Sequence, residues 1–137
     1  MTDNILQQQI EYYCARANEY DQWFYRKGRY DRGIQNNQCW FKEVAVIKNT
    51  LHQSGVVDDI LELACGTGIW TQELLSIGKK ITAIDASKEV ITINRSKLNS
   101  PSVEYHLIDL FTWEPDTEYN LVFFAFWLSH VPPKLLD

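Results

Sequence analysis

The run Ile60-Leu61-Glu62-Leu63-Ala64-Cys65-Gly66-Thr67-Gly68-Ile69-Trp70 decides the fold. A short apolar segment meets a glycine-bearing turn, and an amphipathic stretch over residues 70–77 follows at once. That order is a strand, a tight turn and a helix, the opening of a nucleotide-binding α/β unit. Gly66 and Gly68 can take positive φ and carry no Cβ, so a ligand can approach the backbone closely. The amide groups that begin the helix then point into the crevice at the strand's carboxyl end. Two glycines alone would also suit an ordinary strand-to-helix turn, but two acidic residues add to them. Glu62 lies inside the strand, where a carboxyl group is costly unless it is hydrogen-bonded. A second strand over residues 80–84 ends in Asp85, seventeen residues past Gly68, where a carboxylate can accept both hydroxyls of a ribose.

Glu62-Leu63-Ala64-Cys65-Gly66-Thr67-Gly68, followed by Ala83-Ile84-Asp85-Ala86-Ser87, resembles the first two motifs of class I S-adenosylmethionine-dependent methyltransferases that act on small molecules. Ala64 stands where that family's E/D-x-G-x-G-x-G pattern has its first glycine, and Gly66 and Gly68 match the second and third. The likeness extends from about Tyr12 to the last residue. It implies an α/β fold, a Rossmann-like parallel sheet with flanking helices, and S-adenosylmethionine as cofactor. The residues it assigns to the cofactor are Tyr20, Glu62, Ala64, Gly66, Gly68, Asp85, Ala86, Asp109, Leu110 and Phe126.

Composition sets the outer bounds. A chain of 137 residues has room for one domain and one core. We expect it to comprise an N-terminal helix and flap over residues 1–40 and a partial cofactor domain over 41–137. Apolar residues at 45% and charged residues at 23% describe an ordinary globular protein. A formal charge of −5 disfavours nonspecific nucleic-acid binding. Cys14, Cys39 and Cys65 are odd in number and lack C-x-x-C spacing, so they read as reduced thiols of a cytoplasmic protein, with no metal site expected. No apolar run is long enough to span a membrane.

Along the chain, residues 4–23 read as a helix, with Ile5, Ile10, Tyr13 and Ala17 near helical spacing. Residues 21–33 are rich in aromatics and arginine and lack a clean period. They read either as a surface loop pinned by Trp23 and Phe24 or as a flap closing over a ligand. In the resembled enzymes a Tyr-Asp pair, here Tyr20-Asp21, lies over the cofactor. A second helix is expected over residues 40–53, with Phe41, Val44, Ile47 and Leu51 on one stripe. The helix after the glycine turn is expected to end at Gly78 as its C-cap. Ser87 should N-cap a helix reaching Leu98, with Glu89 in its first turn. The third strand, residues 103–108, leads to Asp109. By resemblance, Asp109 receives the adenine amino group with the Leu110 backbone beside it; a capping aspartate in a turn is the plainer reading. His106 reads as a strand surface residue.

Residues 121–127 form a fourth strand, apolar throughout, so both of its faces should be covered. Phe126 and Trp127 at its end are placed by the resemblance beside the reactive methyl group. His130 follows, suited either to general-base work or to bonding the next turn. The turn lacks the Asp/Asn-Pro-Pro-Tyr sequence of amino-methylating nucleic-acid enzymes, which disfavours base methylation. The resembled enzymes continue to a sheet of order 3-2-1-4-5-7-6, so this chain is expected to be truncated after the fourth strand. An aromatic-rich edge would then pair through residues 121–127 with a second copy, as a homodimer, or with a complementing C-terminal piece. A small-molecule methyl acceptor is the expected partner. Non-catalytic cofactor binding and nicotinamide-dependent oxidation are the rival readings. The latter needs G-x-G-x-x-G, and Thr71 occupies its last position.

Overall fold

The computed structural model describes residues 2–125. Two compact units divide the chain, Met1–Gly55 and Val56–Asp137. The first unit holds helices α1 (Thr2–Phe24) and α2 (Ile34–Gln53), joined through a 3-10 turn at Gly28–Tyr30. The second holds strands β1 (Val57–Leu63), β2 (Gly78–Asp85), β3 (Val103–Leu107) and β4 (Leu121–Phe123), with α3 (Ile69–Leu75) after β1 and α4 (Lys88–Leu98) after β2. The sheet is parallel throughout, in the order β3-β2-β1-β4. This is the Rossmann-like arrangement expected from the sequence.

In the first unit the stretch without a period becomes a firm bend. Helix α1 ends by turning Arg26 into the left-handed region at φ 55°, a site that usually selects glycine. Lys27 N–H donates to Gln22 O at 2.9 Å and Arg26 N–H to Trp23 O at 3.2 Å, the bond pair of a Schellman cap. The Arg26 guanidinium folds back to donate to Trp23 O at 2.9 Å. It also stacks 3.9 Å from the Trp40 ring centroid. Trp40 in turn donates its indole N–H to Phe24 O at 2.8 Å. These contacts offset a backbone cost of about 1–2 kcal/mol for a left-handed non-glycine residue.

Helix α2 begins six residues earlier than the apolar stripe predicts, at Ile34 rather than residue 40. Its start is written in polar contacts. The Asp31 carboxylate accepts Gly33 N–H at 2.9 Å and the Asn37 side-chain amide at 2.8 Å. Those bonds hold the Asp31 carboxyl below its ordinary range. The stripe is also thinner than expected: Val44 is buried, while Phe41 and Ile47 are each 43% exposed. In α1, Ala17 is buried but Ile5 faces solvent.

The second unit carries its core on the first two strands, where Ile60, Ile81, Ala83 and Ile84 are fully buried. Register places Ile60 beside Ile81 and Glu62 beside Ala83, so these share one face. Helices α3 and α4 cover that face, since Thr71 reaches Glu62 and Asn94 meets Tyr105. On the same face, Trp70 of α3 packs against Phe123 of β4 with ring centroids 5.6 Å apart. The other face carries Asp59, Lys80, Thr82, Glu104 and His106, which line a groove of about 350 Å³ together with residues 116–119.

Three boundaries differ from expectation. Gly78 does not cap α3: the helix ends at Leu75, and Gly78 opens β2. A Cβ there would stand 2.5 Å from Ile60 Cδ1, so the glycine serves close strand packing rather than a left-handed turn. β3 stops at Leu107, one residue early. β4 is three residues long, with Phe124 and Ala125 outside it, and residues 126–127 lie outside the described residues. Its faces are not both covered either: Val122 is 51% exposed. An apolar run argues that a strand can be buried, but burial needs a layer to pack against.

Candidate functional site

The turn between β1 and α3 uses three left-handed positions at alternate residues: Ala64 at φ 53°, Gly66 at 57° and Gly68 at 102°. The two glycines serve opposite sides of it. Apart from its chain neighbours, no described residue comes within 4 Å of where a Cβ at Gly66 would stand, so the backbone is open to an approaching ligand there. A Cβ at Gly68 would instead come 2.9 Å from Asn94 Oδ1, inside the fold. Ala64 holds a conformation that its methyl group opposes. Cys65 between them is buried, donates its N–H to Ile84 O at 3.0 Å, and has its thiol pushed upward by burial.

Asp85, at the end of β2, reaches this turn. Its Oδ2 accepts Gly66 N–H at 3.0 Å and its Oδ1 accepts Ser87 N–H at 3.0 Å. Each carboxylate oxygen keeps a second lone pair, so two further donors can be received. Ala86 follows in the bend to α4. Ser87 caps α4 as expected, its Oγ accepting Val90 N–H at 3.4 Å.

Glu62 is buried at 2% exposure and accepts the Thr71 hydroxyl at 2.6 Å. Desolvation pushes its carboxyl up to about 8, against the Thr71 bond and with the help of the nearby Asp85 charge. At neutral pH it is therefore mostly the neutral acid. Thr71, in the place of the third dinucleotide-binding glycine, thus has a structural task of its own.

Sequence reasoning missed the residues that complete this cluster. Asn94 is fully buried; its Nδ2 donates to Gly66 O at 3.1 Å and to Thr71 Oγ1 at 3.0 Å. The Tyr105 hydroxyl donates to Asn94 Oδ1 at 2.6 Å. Burial, and the Cys65 and Glu62 charges after it, push that hydroxyl up to about 12. The available signal was spacing: Asn94 lies three residues after the buried Ile91, and Tyr105 two after Val103.

Asp109 is exposed, and its Oδ1 accepts Phe111 N–H at 3.0 Å, the contact of a turn-capping aspartate. Leu110 follows it in the same turn. His106 contacts Glu104 at 3.0 Å on the strand surface, as read from the sequence. Tyr20 belongs to α1 of the first unit, its ring 5.6 Å from that of Trp23. Phe126 and His130 lie outside the described residues. Cys39 and Cys65 are free thiols.

Comparison with known proteins gives a consistent picture. The model of a methyltransferase domain matches residues 60–137. The malonyl-[acyl-carrier protein] O-methyltransferase 1 of Ilyobacter polytropus is 33% identical over 76 residues, covering 53% of this chain and 28% of that protein. The ubiquinone biosynthesis O-methyltransferase of Hydrogenovibrio crunogenus is 36% identical over 77 residues, covering 53% and 32% respectively. Among solved structures, the DhpI–SAH complex superposes with TM-score 0.70 at 35% identity, covering 94% of this chain and 57% of that one. The chain therefore spans about a third of these curated relatives and just over half of that solved structure.

Proposed function

The chain belongs to the methyltransferase-domain family of class I S-adenosylmethionine-dependent enzymes, and on that premise we propose that it binds S-adenosylmethionine after β1 and serves methyl transfer to a small molecule. The observation that carries the reading is the pairing of an open Gly66 with the Asp85 carboxylate held 3.0 Å from its amide. An adenosyl group fits that pairing: the backbone admits a sugar edge without a Cβ in its path, and Asp85 has lone pairs for two hydroxyls. Bound there, the cofactor supplies an activated methyl group on its sulfonium. The chain's own part is to bind and orient. Asp85 fixes the ribose, and the turn from Ala64 to Gly68 supplies the floor. Asp109 with Leu110 takes the adenine edge, and Ala86 follows the ribose-binding carboxylate; Tyr20 and Phe126 are assigned to the cofactor by the family resemblance alone. His130 is assigned general-base work on the acceptor. Alignment of acceptor and methyl group provides most of the rate gain.

Three narrower assignments go with this. The acceptor is a small molecule, a reading supported by the ubiquinone biosynthesis O-methyltransferase among the relatives above. The β4 edge takes a further strand, from a second copy or a complementing piece; among the described residues it pairs only with β1, and Val122 and Phe124 stay exposed. The site of action is the cytoplasm, for which an odd number of cysteines without C-x-x-C spacing speaks. No described helix is long and apolar enough to cross a membrane.

Calorimetric titration of the chain with S-adenosylhomocysteine and with NAD tests the reading. Binding of the first and not the second is expected. Saturable binding of NAD alone would replace the proposal with the nicotinamide reading.

A further inference from the structure

We propose that Asn94 and Tyr105 are positioning residues for the cofactor turn: through the Asn94 amide, β3 holds the Gly66 carbonyl and so fixes the hollow bordered by Gly66 and Asp85. The inference rests on the cofactor reading above and deepens it, naming residues that shape the site without touching the ligand.

Asn94 has no exposed surface, although it sits mid-helix in α4. A carboxamide there costs free energy unless its polar atoms are matched. The matches run to three elements: Gly66 O in the turn, Thr71 Oγ1 on α3 and the Tyr105 hydroxyl on β3. The amide's orientation follows from chemistry. The Gly66 carbonyl can only accept, so Nδ2 must face the turn and Oδ1 must receive the tyrosine hydroxyl. The Gly66 carbonyl thereby decides which way the carboxamide points, and the Tyr105 hydroxyl, by donating to Oδ1, holds it there from the other side. The same group abuts Gly68, where a Cβ would stand 2.9 Å from Oδ1. One side chain thus supplies a bond to Gly66 and a wall against Gly68. The open side of the turn, at Gly66, is held from behind by the carbonyl of the same residue whose N–H rests on Asp85. If that carbonyl is released, the peptide planes on both sides of Gly66 can rotate, because glycine offers little resistance. Asp85 would then face a turn of undefined shape.

Asn94→Ala removes the contact but leaves a cavity, so Tyr105→Phe, which deletes only the hydroxyl, is the variant of choice. The control is Ile91→Val, which trims a buried side chain on the same helix and leaves Glu62, Thr71, Asn94 and Tyr105 in place. Each full chain is followed by urea unfolding, by NMR amide exchange at residues 66–68, and by titration with S-adenosylhomocysteine. Both variants are expected to lose similar stability. Only Tyr105→Phe should speed exchange at the Gly66 amide and weaken binding about tenfold, the effect of one displaced hydrogen bond. Unchanged exchange in Tyr105→Phe, or equal changes in both variants, overturns the proposal. Faster exchange with unaltered affinity overturns it as well. If the unmodified chain binds no S-adenosylhomocysteine, the cofactor reading falls, and exchange alone decides whether Tyr105 holds the turn.

Discussion

Replacing Glu62 with glutamine should change how stability depends on pH more than it changes stability itself. The folded carboxyl is pushed up to about 8 by burial, from an ordinary value of 4.5. Between those values the folded state holds a proton that the unfolded chain has released. Stability from this group is therefore complete below about pH 4.5 and is lost progressively as pH rises through about 8. The slope approaches about 1.4 kcal/mol per pH unit. Over the 3.5 units between 4.5 and about 8 the ceiling is about 5 kcal/mol, a large part of a domain's typical 5–15 kcal/mol. Glutamine reproduces the neutral acid in size and still accepts the Thr71 hydroxyl, but it cannot ionise. Urea unfolding of both proteins from pH 5.5 to 8.5 is the assay. The wild type should be weaker by about 1 kcal/mol at pH 5.5 and the gap should widen to about 4–5 kcal/mol at pH 8.5. Parallel pH profiles for the two proteins would refute the reasoning, because they would mean that Glu62 ionises without penalty.

Five further substitutions, at four positions, probe the turns. Ala64→Gly should cost nothing or add up to about 1 kcal/mol in a thermal or urea melt, since a left-handed alanine gives up its strain. A loss of 1 kcal/mol or more would show that the methyl group is needed. Gly68→Ala should destabilise by about 1–3 kcal/mol through its clash with Asn94, whereas Gly66→Ala meets open space and pays mainly for its backbone angle; equal losses would remove the distinction between the two glycines. Arg26→Ala should lower stability by about 1 kcal/mol through the lost stacking on Trp40, and Arg26→Lys should restore little of it, as judged by chemical denaturation.

The strands and the first turn were legible because their signals are local. An apolar run, two glycines and a carboxylate at the right distance specify β1, the turn and the end of β2. Ser87 with Glu89 specifies the start of α4 in the same way. What escaped prediction depends on partners remote in sequence. The start of α2 is fixed by Asp31 reaching Asn37 across a polar segment that has no hydrophobic period to read. Arg26 is helped into a glycine's backbone region by Trp40, fourteen residues on, whose ring lies under its guanidinium. Asn94 looks like any polar residue of a surface helix until Tyr105 and Gly66 converge on it. Thr71 was read as a missing glycine, and its bond to Glu62 becomes visible only in three dimensions. The apolar run of β4 suggested more strand, and more cover, than the chain provides by Ala125.

The guanidinium clasp at the bend between α1 and α2 has a consequence for how the molecule fails. Arginine keeps its charge at any pH a protein meets, so that fastening is blind to alkali. The sheet of the second unit, which relies on Glu62 keeping its proton, is not. Raising the pH should therefore loosen the strands while the helical bend stays shut, and melting in base should proceed in two stages where melting near neutrality shows fewer.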